Sequence, residues 1–251
     1  MSLFNGKVAI VTGGGSGIGQ AACYSYAQEG AKVVVSDVDE NGGNETCRAI
    51  LDRNGEAIFV RADVSNPSDC QALVAKTLEK YGQLDIAFNN AGIGGEANLT
   101  ADYSVEGWQK VISINLSGVF YGMKYEIPAM LKAGGGAIVN MSSVLGQEGF
   151  ARSPAYAAAK HGVIGLTQTA AVEYAQQGVR INSVGPAFIH TPLISGLEEN
   201  KQTRDYLISL HPIGRLGTPE EVAALVIWLS SEKASFAVGG YYEIDGGYLA
   251  R

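Results

Sequence analysis

Cysteine and histidine are scarce in this chain of 251 residues, with three of each. Cys23, Cys47 and Cys70 are odd in number, lie far apart and show no Cys-x-x-Cys spacing. This pattern argues against a disulfide framework and against a zinc site. The histidines also lack the spacing of metal ligands. We therefore expect no metal site, and we expect each cysteine to be a small packing residue.

Long apolar runs and clusters of positive charge are also missing. No apolar stretch approaches the roughly 18 residues of a transmembrane helix, and residues 1–6 lack the charged and apolar regions of a signal peptide. The net charge of −7 disfavours binding to nucleic acid or to an anionic membrane, because either surface calls for a basic patch. We expect a cytoplasmic protein without a nucleic-acid or membrane partner.

Glycine, by contrast, is plentiful, at 33 residues. Seven residues, 13–19, read Gly-Gly-Gly-Ser-Gly-Ile-Gly and follow the β-branched apolar run of residues 7–12. A helical pattern continues from there through Ala27. Strand, glycine turn and helix in this order are typical of a dinucleotide site, where the backbone approaches a pyrophosphate at the helix N-terminus. A glycine-rich surface turn is the alternative.

Strand-like runs alternate with helical patterns along the whole chain. After the first strand they lie at Lys32–Ser36, Ala57–Arg61, Leu84–Phe88, Ala137–Met141, Val179–Val184 and Tyr241–Ile244. Such alternation implies right-handed crossovers and a parallel sheet covered on both faces. We predict an α/β fold: a Rossmann-like, doubly wound, seven-stranded parallel sheet with helices on both faces, in a single domain of residues 1–251.

Capping patterns mark several helix starts. They occur at Ser68-Asp69, at Ser104, and at Thr218, where Pro219 and Glu221 complete a capping box. No strand pattern is evident in residues 187–212, where apolar residues are interleaved with charges. A segment of this kind beside a sheet is usually a lid, so we predict that residues 187–212 cover the substrate.

Tyr156 and Lys160 are spaced so that they share one face of a helix, and Ser143 lies thirteen residues before the tyrosine. A phenol has a pKa near 10, so it becomes a useful acid/base at neutral pH only when a nearby cation favours its ionised form. Taken alone, the pair could equally be an ordinary half-exposed helix pair. Its position after a dinucleotide-type glycine turn favours catalysis.

Together these motifs resemble the compact, single-domain branch of the short-chain dehydrogenase/reductase family, nearly end to end. The resemblance rests on Thr12-Gly13-x-x-x-Gly17-x-Gly19, on Asn89-Asn90-Ala91-Gly92, and on Asn115 with Ser143, Tyr156 and Lys160. It implies that these last four residues are catalytic. Tyr156 would be the acid/base, Ser143 would bind the substrate oxygen, and Asn115 would organise a water that links Lys160 to solvent.

The resemblance also implies a set of cofactor contacts. They are Gly13, Ser16, Gly17, Ile18, Gly19, Asp37, Asp63, Val64, Asn90, Ala91, Gly92, Tyr156, Lys160, Pro186, Ile189 and Thr191. Asp63 could instead be only a turn residue. One departure concerns Ala187, which stands where the family usually has glycine, so the backbone beside the nicotinamide is expected to be less free.

Asp37 predicts the choice of cofactor. It falls at the end of the second strand, about twenty residues after the glycine turn, where a carboxylate accepts hydrogen bonds from a ribose hydroxyl. The same charge repels a 2′-phosphate, and no Arg or Lys stands beside it to offset this. We therefore expect NAD(H) in preference to NADP(H). Asp37 could also cap the helix that starts near Glu40.

The sequence thus predicts an NAD-dependent oxidoreductase that interconverts a secondary alcohol and a ketone. A 3-oxoacyl-(acyl carrier protein) reductase using NADPH and a non-catalytic dinucleotide sensor are the alternatives. Substrate-facing candidates are residues 94–97, residues 144–152 and the lid, including Gln147, Glu148, Phe150, Arg152, Phe188, His190 and Leu193. The C-terminal strand and glycine turn resemble the family's subunit interface, which implies a homotetramer.

Overall fold

Seven parallel strands form the centre of the fold. The protein is described by a computed structural model that covers residues 2–250. The strands are β1 (Val8–Thr12), β2 (Lys32–Asp37), β3 (Glu56–Arg61), β4 (Ile86–Asn89), β5 (Gly136–Met141), β6 (Val179–Pro186) and β7 (Tyr241–Ile244). Each predicted strand is present within two residues of its predicted bounds, and β7 has the bounds predicted.

The strand order is β3-β2-β1-β4-β5-β6-β7. The chain moves outward from β1 to β3, returns to the other side of β1 as β4, and then moves outward again to β7. Every neighbouring pair is parallel. The order reverses between β1 and β4, and in open parallel sheets ligands bind at such a point, beyond the carboxyl ends of the strands.

Helices cover both faces of the sheet, as the all-buried β1 requires. The helices are α1 (Gly17–Gln28), α2 (Glu40–Leu51), α3 (Pro67–Tyr81), α4 (Val105–Ile112), α5 (Gly118–Lys132), α6 (Pro154–Tyr174), α7 (Ser195–Glu198), α8 (Lys201–Ser209) and α9 (Pro219–Ser230). Ala9 and Val11 of β1 pack with α1, α2 and α9, whereas Val8 and Ile10 pack with α3, α5 and α6. The predicted doubly wound, single-domain fold is confirmed.

Two of the three predicted helix caps are confirmed and one is wrong. The hydroxyl of Ser104 accepts from the backbone of Gly107, and Thr218 forms the full capping box with Glu221. Helix α3, however, is capped by Asn66, whose side chain accepts from the backbone N–H of Ser68. Pro67 takes the first helical position, where its missing N–H costs nothing, so the helix begins before the predicted Ser68-Asp69.

The helical segment that begins after Ser104 and ends at Lys132 is interrupted. Between α4 and α5, residues Ser113–Ser117 form a π-helical turn, which contains one more residue per turn than an α-helix. Such turns occur frequently at functional sites. This one carries Asn115, whose side chain is completely buried.

The chain beyond β6 leaves the sheet. Residues 187–212 contain α7 and α8 and form a single isolated bridge between Ile189 and Gly217. Within residues 2–250, no helix is long and apolar enough to cross a membrane. No group of three or more His, Cys, Asp or Glu side chains in the same residues could hold a metal ion. Cys23, Cys47 and Cys70 are buried and unpaired with one another, as expected of packing residues.

A carboxyl group is buried against the sheet and forms no ion pair within residues 2–250. Glu126 of α5 is 1% exposed, and its Oε2 accepts from the side-chain amide of Asn89 at 3.0 Å. Asn89 also bonds to Asn140, which donates in turn to Thr167. Burial raises the pKa of Glu126 to about 7, and the bond from Asn89 opposes this shift.

We therefore expect Glu126→Gln to stabilise the protein at high pH. Folding favours the neutral carboxyl of Glu126. The contribution of this residue to the free energy of unfolding is therefore fully present below pH 4.5 and is lost as the pH rises through about 7. Glutamine cannot ionise, so the gain at pH 8 should approach about 3 kcal/mol, since one pKa unit corresponds to about 1.4 kcal/mol. Thermal unfolding at pH 5 and pH 8 measures this, with exposed Glu79→Gln as the control. An equal shift at both pH values would contradict it.

Candidate active site

The carboxyl ends of β1 and β4 are joined by reciprocal hydrogen bonds. The Thr12 hydroxyl accepts from the backbone N–H groups of Asn90 at 3.0 Å and Ala91 at 3.2 Å. In return, the Asn90 side chain donates to the carbonyls of Thr12 at 2.9 Å and Gly13 at 3.3 Å. These bonds fix the position at which the glycine turn begins. Thr12, which was not predicted as a site residue, is half of this link.

The glycine turn has the shape of a phosphate cradle. Gly13 and Gly17 have positive φ angles of 66° and 51°, which side chains rarely adopt. A Cβ on Gly19 would collide with the Gly13 carbonyl oxygen, so the turn closes only with glycine there. Ser16 precedes α1 and makes no side-chain cap bond. With its backbone exposed at a helix N-terminus, this turn fits a dinucleotide pyrophosphate.

Asp37 connects the end of β2 to the same turn. Its Oδ2 accepts from the Gly15 N–H at 2.9 Å, and its Oδ1 accepts from the Asp39 N–H at 3.0 Å. Helix α2 is capped by Asp39, which accepts from the Asn41 N–H, so the alternative that Asp37 is the helix cap is wrong. Asp37 is half-exposed beside the cradle, where a ribose would follow the pyrophosphate.

Asp63 and Val64 follow β3 and have different surroundings: Asp63 holds a turn, and Val64 packs against the start of α5. Asp63 Oδ1 accepts from both the N–H and the hydroxyl of Ser65, at 2.9 and 2.7 Å, so the turn role considered for it is real. Val64 is buried, and a Cβ on Gly118 at the start of α5 would come within 2.8 Å of its Cγ2.

Asn115 holds the chain just beyond β4. Its Oδ1 accepts from the Ile93 N–H at 2.9 Å, and its Nδ2 donates to the Ile93 carbonyl at 2.8 Å. A Cβ on Gly92 would lie only 3.3 Å from that Oδ1, so the glycine permits the approach. The amide of Asn115 is therefore used by the backbone.

Tyr156 and Lys160 share one face of α6, as their spacing predicts. The Lys160 Nζ lies 5.5 Å from the centroid of the Tyr156 ring. Lys160 is 2% exposed, and its Nζ donates to the Met141 carbonyl at the end of β5, at 2.7 Å. Of the three protons that an ammonium offers, this bond uses one.

Burial acts against ionisation of both side chains. It raises the pKa of Tyr156 above its usual 10, and a side-chain hydrogen bond with Ser143 acts in the opposite direction. It lowers the pKa of Lys160 from 10.5 to about 7. In the protein alone, the neutral lysine is thus well populated near neutral pH. A group that accepts hydrogen bonds from Nζ would favour the ammonium form.

Ser143 and Ser142 have different partners. The Ser142 hydroxyl donates to the carbonyl of Lys160 at 3.0 Å, and so it ties β5 to α6. The Ser143 hydroxyl accepts from the Leu145 N–H at 3.2 Å and lies 3.4 Å from the Pro186 carbonyl. It is Ser143 whose side chain acts on the pKa of Tyr156, in agreement with the choice made from spacing.

The segment after β6 returns over the glycine turn. Ile189 is buried, and the Thr191 hydroxyl donates to its carbonyl at 3.2 Å. The Thr191 methyl would lie 3.3 Å from a Cβ on Gly17. Ala187, where glycine was expected, is not among the described residues with positive φ, so its side chain imposes no strain there.

An aromatic wall stands beside Tyr156. The centroid of the Phe188 ring lies 5.8 Å from that of Phe150, 5.9 Å from that of His211 and 6.1 Å from that of Tyr248. Tyr156 packs against the same apolar cluster. Phe150 and Phe188 were predicted to line the substrate pocket. His211 and Tyr248 were missed, because only the folded chain brings them to this place.

His211 joins the start and the end of the segment of residues 187–212. Its Nε2 accepts from the Phe188 N–H at 3.3 Å, so Nδ1 carries the proton and donates to the Leu207 carbonyl at 2.8 Å. Two of the predicted polar contacts have partners within the protein: His190 pairs with Glu198 at 2.7 Å, within residues 187–212. Arg152 donates through Nε to the Ala97 carbonyl at 3.0 Å, joining the two predicted substrate loops.

Comparison with known proteins decides the family. A family model described as enoyl-(acyl carrier protein) reductase matches residues 13–249. A cyclohexanol dehydrogenase of Acinetobacter sp. (strain SE19) is 49% identical over 99% of this chain and 97% of its own length. The chain belongs to the short-chain dehydrogenase/reductase family.

Two further relatives place the chain within short-chain dehydrogenases. A cis-4-hydroxycyclohexanecarboxylate dehydrogenase of Sinomonas cyclohexanicum is 43% identical, with 98% of each chain covered. The crystal structure of levodione reductase superposes with a TM-score of 0.95 at 39% identity, over 98% of this chain and 99% of that one. The predicted reaction class, exchange between a secondary alcohol and a ketone with a nicotinamide dinucleotide, is confirmed at this level.

Proposed function

We propose that this short-chain dehydrogenase uses NAD to oxidise a secondary alcohol on a six-membered carbon ring, and that it runs the reverse reduction of the ring ketone. The observation that carries the proposal is the meeting of Ser143, Tyr156 and Lys160 beside an aromatic wall. The relatives that act on cyclohexane derivatives support the ring. The aromatic wall supports a ring substrate independently, since it presents apolar ring faces beside Tyr156.

The glycine turn, Asp37 and Thr191 would hold the cofactor across the β1–β4 crevice. Bound there, the nicotinamide supplies the acceptor for the hydride that leaves the carbinol carbon. Asp37 carries a charge that suits a free ribose hydroxyl and opposes a 2′-phosphate. It forms no ion pair within residues 2–250, because Arg61, which lies opposite it in the β2–β3 register, pairs with Glu40. This favours NAD over NADP.

Tyr156 accepts the hydroxyl proton of the alcohol, and it returns the proton to the ketone oxygen in the reverse direction. Ser143 bonds to the same substrate oxygen and stabilises the charge that develops on it. Lys160 works as the ammonium, which favours the phenolate. Its depressed pKa means that this charge depends on further acceptors for Nζ, and a cofactor ribose hydroxyl would provide one.

The lid of residues 187–212 would cover the ring. Leu193 is exposed at its tip, and its Cδ1 would lie 3.9 Å from a Cβ on Gly94 across the cleft. Because His211 binds Phe188 to the end of α8, movement of the lid carries part of the aromatic wall with it. Substrate entry and closure of the wall are thereby linked.

The test of this function is NADH formation at 340 nm with cyclohexanol, cyclohexanediols, open-chain 2-hexanol and a hydroxysteroid. We expect the ring alcohols to have the highest kcat/KM. Turnover of a 3-oxoacyl thioester with NADPH in preference to these would support the acyl reductase instead. NAD binding without any turnover would support a dinucleotide sensor.

Replacing Tyr156 with Phe should lower kcat by about 10²–10⁴-fold, because it removes the transferable proton. NAD binding, followed by calorimetry, should stay within a few-fold of the original, since the ring remains. Tyr174→Phe, the same change on the same helix outside the site, is the control. Near-normal turnover by Tyr156→Phe would remove the tyrosine from this role.

Replacing Asp37 with Asn should raise the ratio of kcat/KM for NADP to that for NAD by about tenfold, the equivalent of about 1.4 kcal/mol. Asparagine keeps an acceptor for the Gly15 N–H and removes the charge that opposes a 2′-phosphate. Asp39→Asn, which retains the α2 cap, is the matched control and should change the ratio less. An unchanged ratio in the Asp37 variant would show that another group sets the preference.

We further propose a homotetramer of two-fold symmetry, on the strength of two separate apolar surfaces. One lies on α4, α5 and α6 and exposes Val105, Trp108, Phe120 and Val172. The other lies beside β7 and exposes Trp228, Phe236 and Val238, with Phe236 fully exposed. Exposed apolar patches mark interfaces, and two distinct self-complementary patches generate a closed tetramer.

Light scattering should give a mass of about four times 26.3 kDa. Phe236→Asp should lower it to that of a dimer, because one of the two surfaces remains. Val38→Asp, a comparable change at an exposed valine outside both surfaces, should leave the mass unaltered. A monomer at micromolar concentration would contradict the proposal.

A further inference from the structure

A tyrosine of the last strand, β7, reaches Ser143 through the space that a glycine leaves in the neighbouring strand β6. In the β6–β7 register, Ser183 lies opposite Tyr241 and Gly185 lies opposite Glu243. A Cβ on Gly185 would collide with the Tyr241 ring and its hydroxyl, which supply all three of the nearest atoms. Gly185 does not have a positive φ, so its backbone does not require glycine. Glycine is needed there to make room for the tyrosine.

Through this gap, the Tyr241 hydroxyl donates to the main-chain carbonyl of Ser143 at 2.9 Å. The Gly146 N–H donates to the same oxygen at 2.8 Å, so both of its lone pairs are used. The Ser143 side chain also contacts Leu145 and Pro186. The serine is thus held by its own turn, by the end of β6 and by the edge strand β7.

The Tyr241 hydroxyl remains a hydrogen-bond donor over the working pH range. Burial raises the pKa of this phenol, and the nearby charges of Glu243, Asp245 and Glu148 raise it further, so it keeps its proton at working pH. The next residue, Tyr242, points to the opposite face of the sheet, where its ring lies 6.1 Å from that of Trp228. The two tyrosines therefore have different surroundings despite being adjacent.

We propose that Tyr241 is a positioning residue for catalysis: its hydroxyl, admitted by Gly185, fixes the main chain of Ser143 so that the serine hydroxyl is aimed at the substrate oxygen. This inference rests on the proposed role of Ser143. Without the phenol hydroxyl, the Ser143 carbonyl loses one of two donors and the turn of residues 143–146 loosens. A small displacement of a group that stabilises the transition state lowers turnover more than it lowers binding.

The experiment compares Tyr241→Phe with Tyr242→Phe, a matched loss of one hydroxyl from the same strand. With cyclohexanol and NAD, Tyr241→Phe should lower kcat about tenfold while KM for NAD stays within twofold, and Tyr242→Phe should behave as the wild type. Hydrogen exchange of the Leu145 and Gly146 amides should become several-fold faster in Tyr241→Phe alone. This second readout does not depend on turnover.

Gly185→Ala provides a second variant, because its methyl group displaces the phenol while leaving Tyr241 in the chain. It should reproduce both effects. Wild-type amide exchange at residues 145 and 146 in Tyr241→Phe, or an equal loss of turnover in Tyr242→Phe, would overturn the inference.

A double-mutant cycle separates the inference from the proposed function. In a Ser143→Ala background, Tyr241→Phe should cause no further loss, because Tyr241 acts through the serine. An undiminished further loss would show that Tyr241 acts by another route. If Ser143→Ala itself turns over like the wild type, the proposed role of the serine fails, whatever the exchange data show for Tyr241.

Discussion

The reciprocal link between Thr12 and Asn90 is the constraint on which the site depends. β1 and β4 are paired as far as Val11 and Phe88, and beyond this point the chain continues to α1 on one face of the sheet and toward α4 and α5 on the other, which leaves a crevice between the two segments. Four hydrogen bonds fix the width of this crevice. They also set the start of the glycine turn and the path of the chain toward Ile93, which Asn115 then holds from the π-helical turn. The cofactor cleft and the proton-transfer side are thereby built on one rigid frame.

Two side chains within this frame are buried in a way that disfavours their charged forms. Burial opposes the charged forms of both Lys160 and Tyr156, although the proposed chemistry needs an ammonium and a phenolate. The protein alone supplies Nζ with the Met141 carbonyl. Its remaining donors are available to the proposed cofactor, whose ribose hydroxyls would favour the ammonium form. Perturbed groups of this kind are typical of functional sites.

The sequence predicted those features that arise from local pattern. Alternating β-branched runs gave all seven strands, and the i, i+4 spacing correctly placed Tyr156 and Lys160 together on α6. The choice of Ser143 over Ser142 also agrees with their different partners. The predicted start of α3 is wrong, because Asn66 caps the helix and Pro67 takes its first position, before Ser68.

What the sequence could not predict arises from long-range packing. The π-helical turn inserts one residue into a pattern that reads as a continuous helix, so periodicity does not reveal it. His211 and Tyr248 join Phe188 in the aromatic wall only because the lid and the C-terminus fold back to it. The approach of the Tyr241 ring to Gly185 likewise depends on the register of β6 and β7, because the two residues lie far apart in the sequence.

The most direct test of the account is to follow the transferred hydrogen itself. Cyclohexanol that carries deuterium on the carbinol carbon is incubated with the protein and NAD, and the products are analysed by mass spectrometry. We expect one deuterium in the reduced cofactor, and slower turnover than for the light alcohol when hydride transfer limits the rate. Reduced cofactor that contains no deuterium would contradict direct hydride transfer in this site.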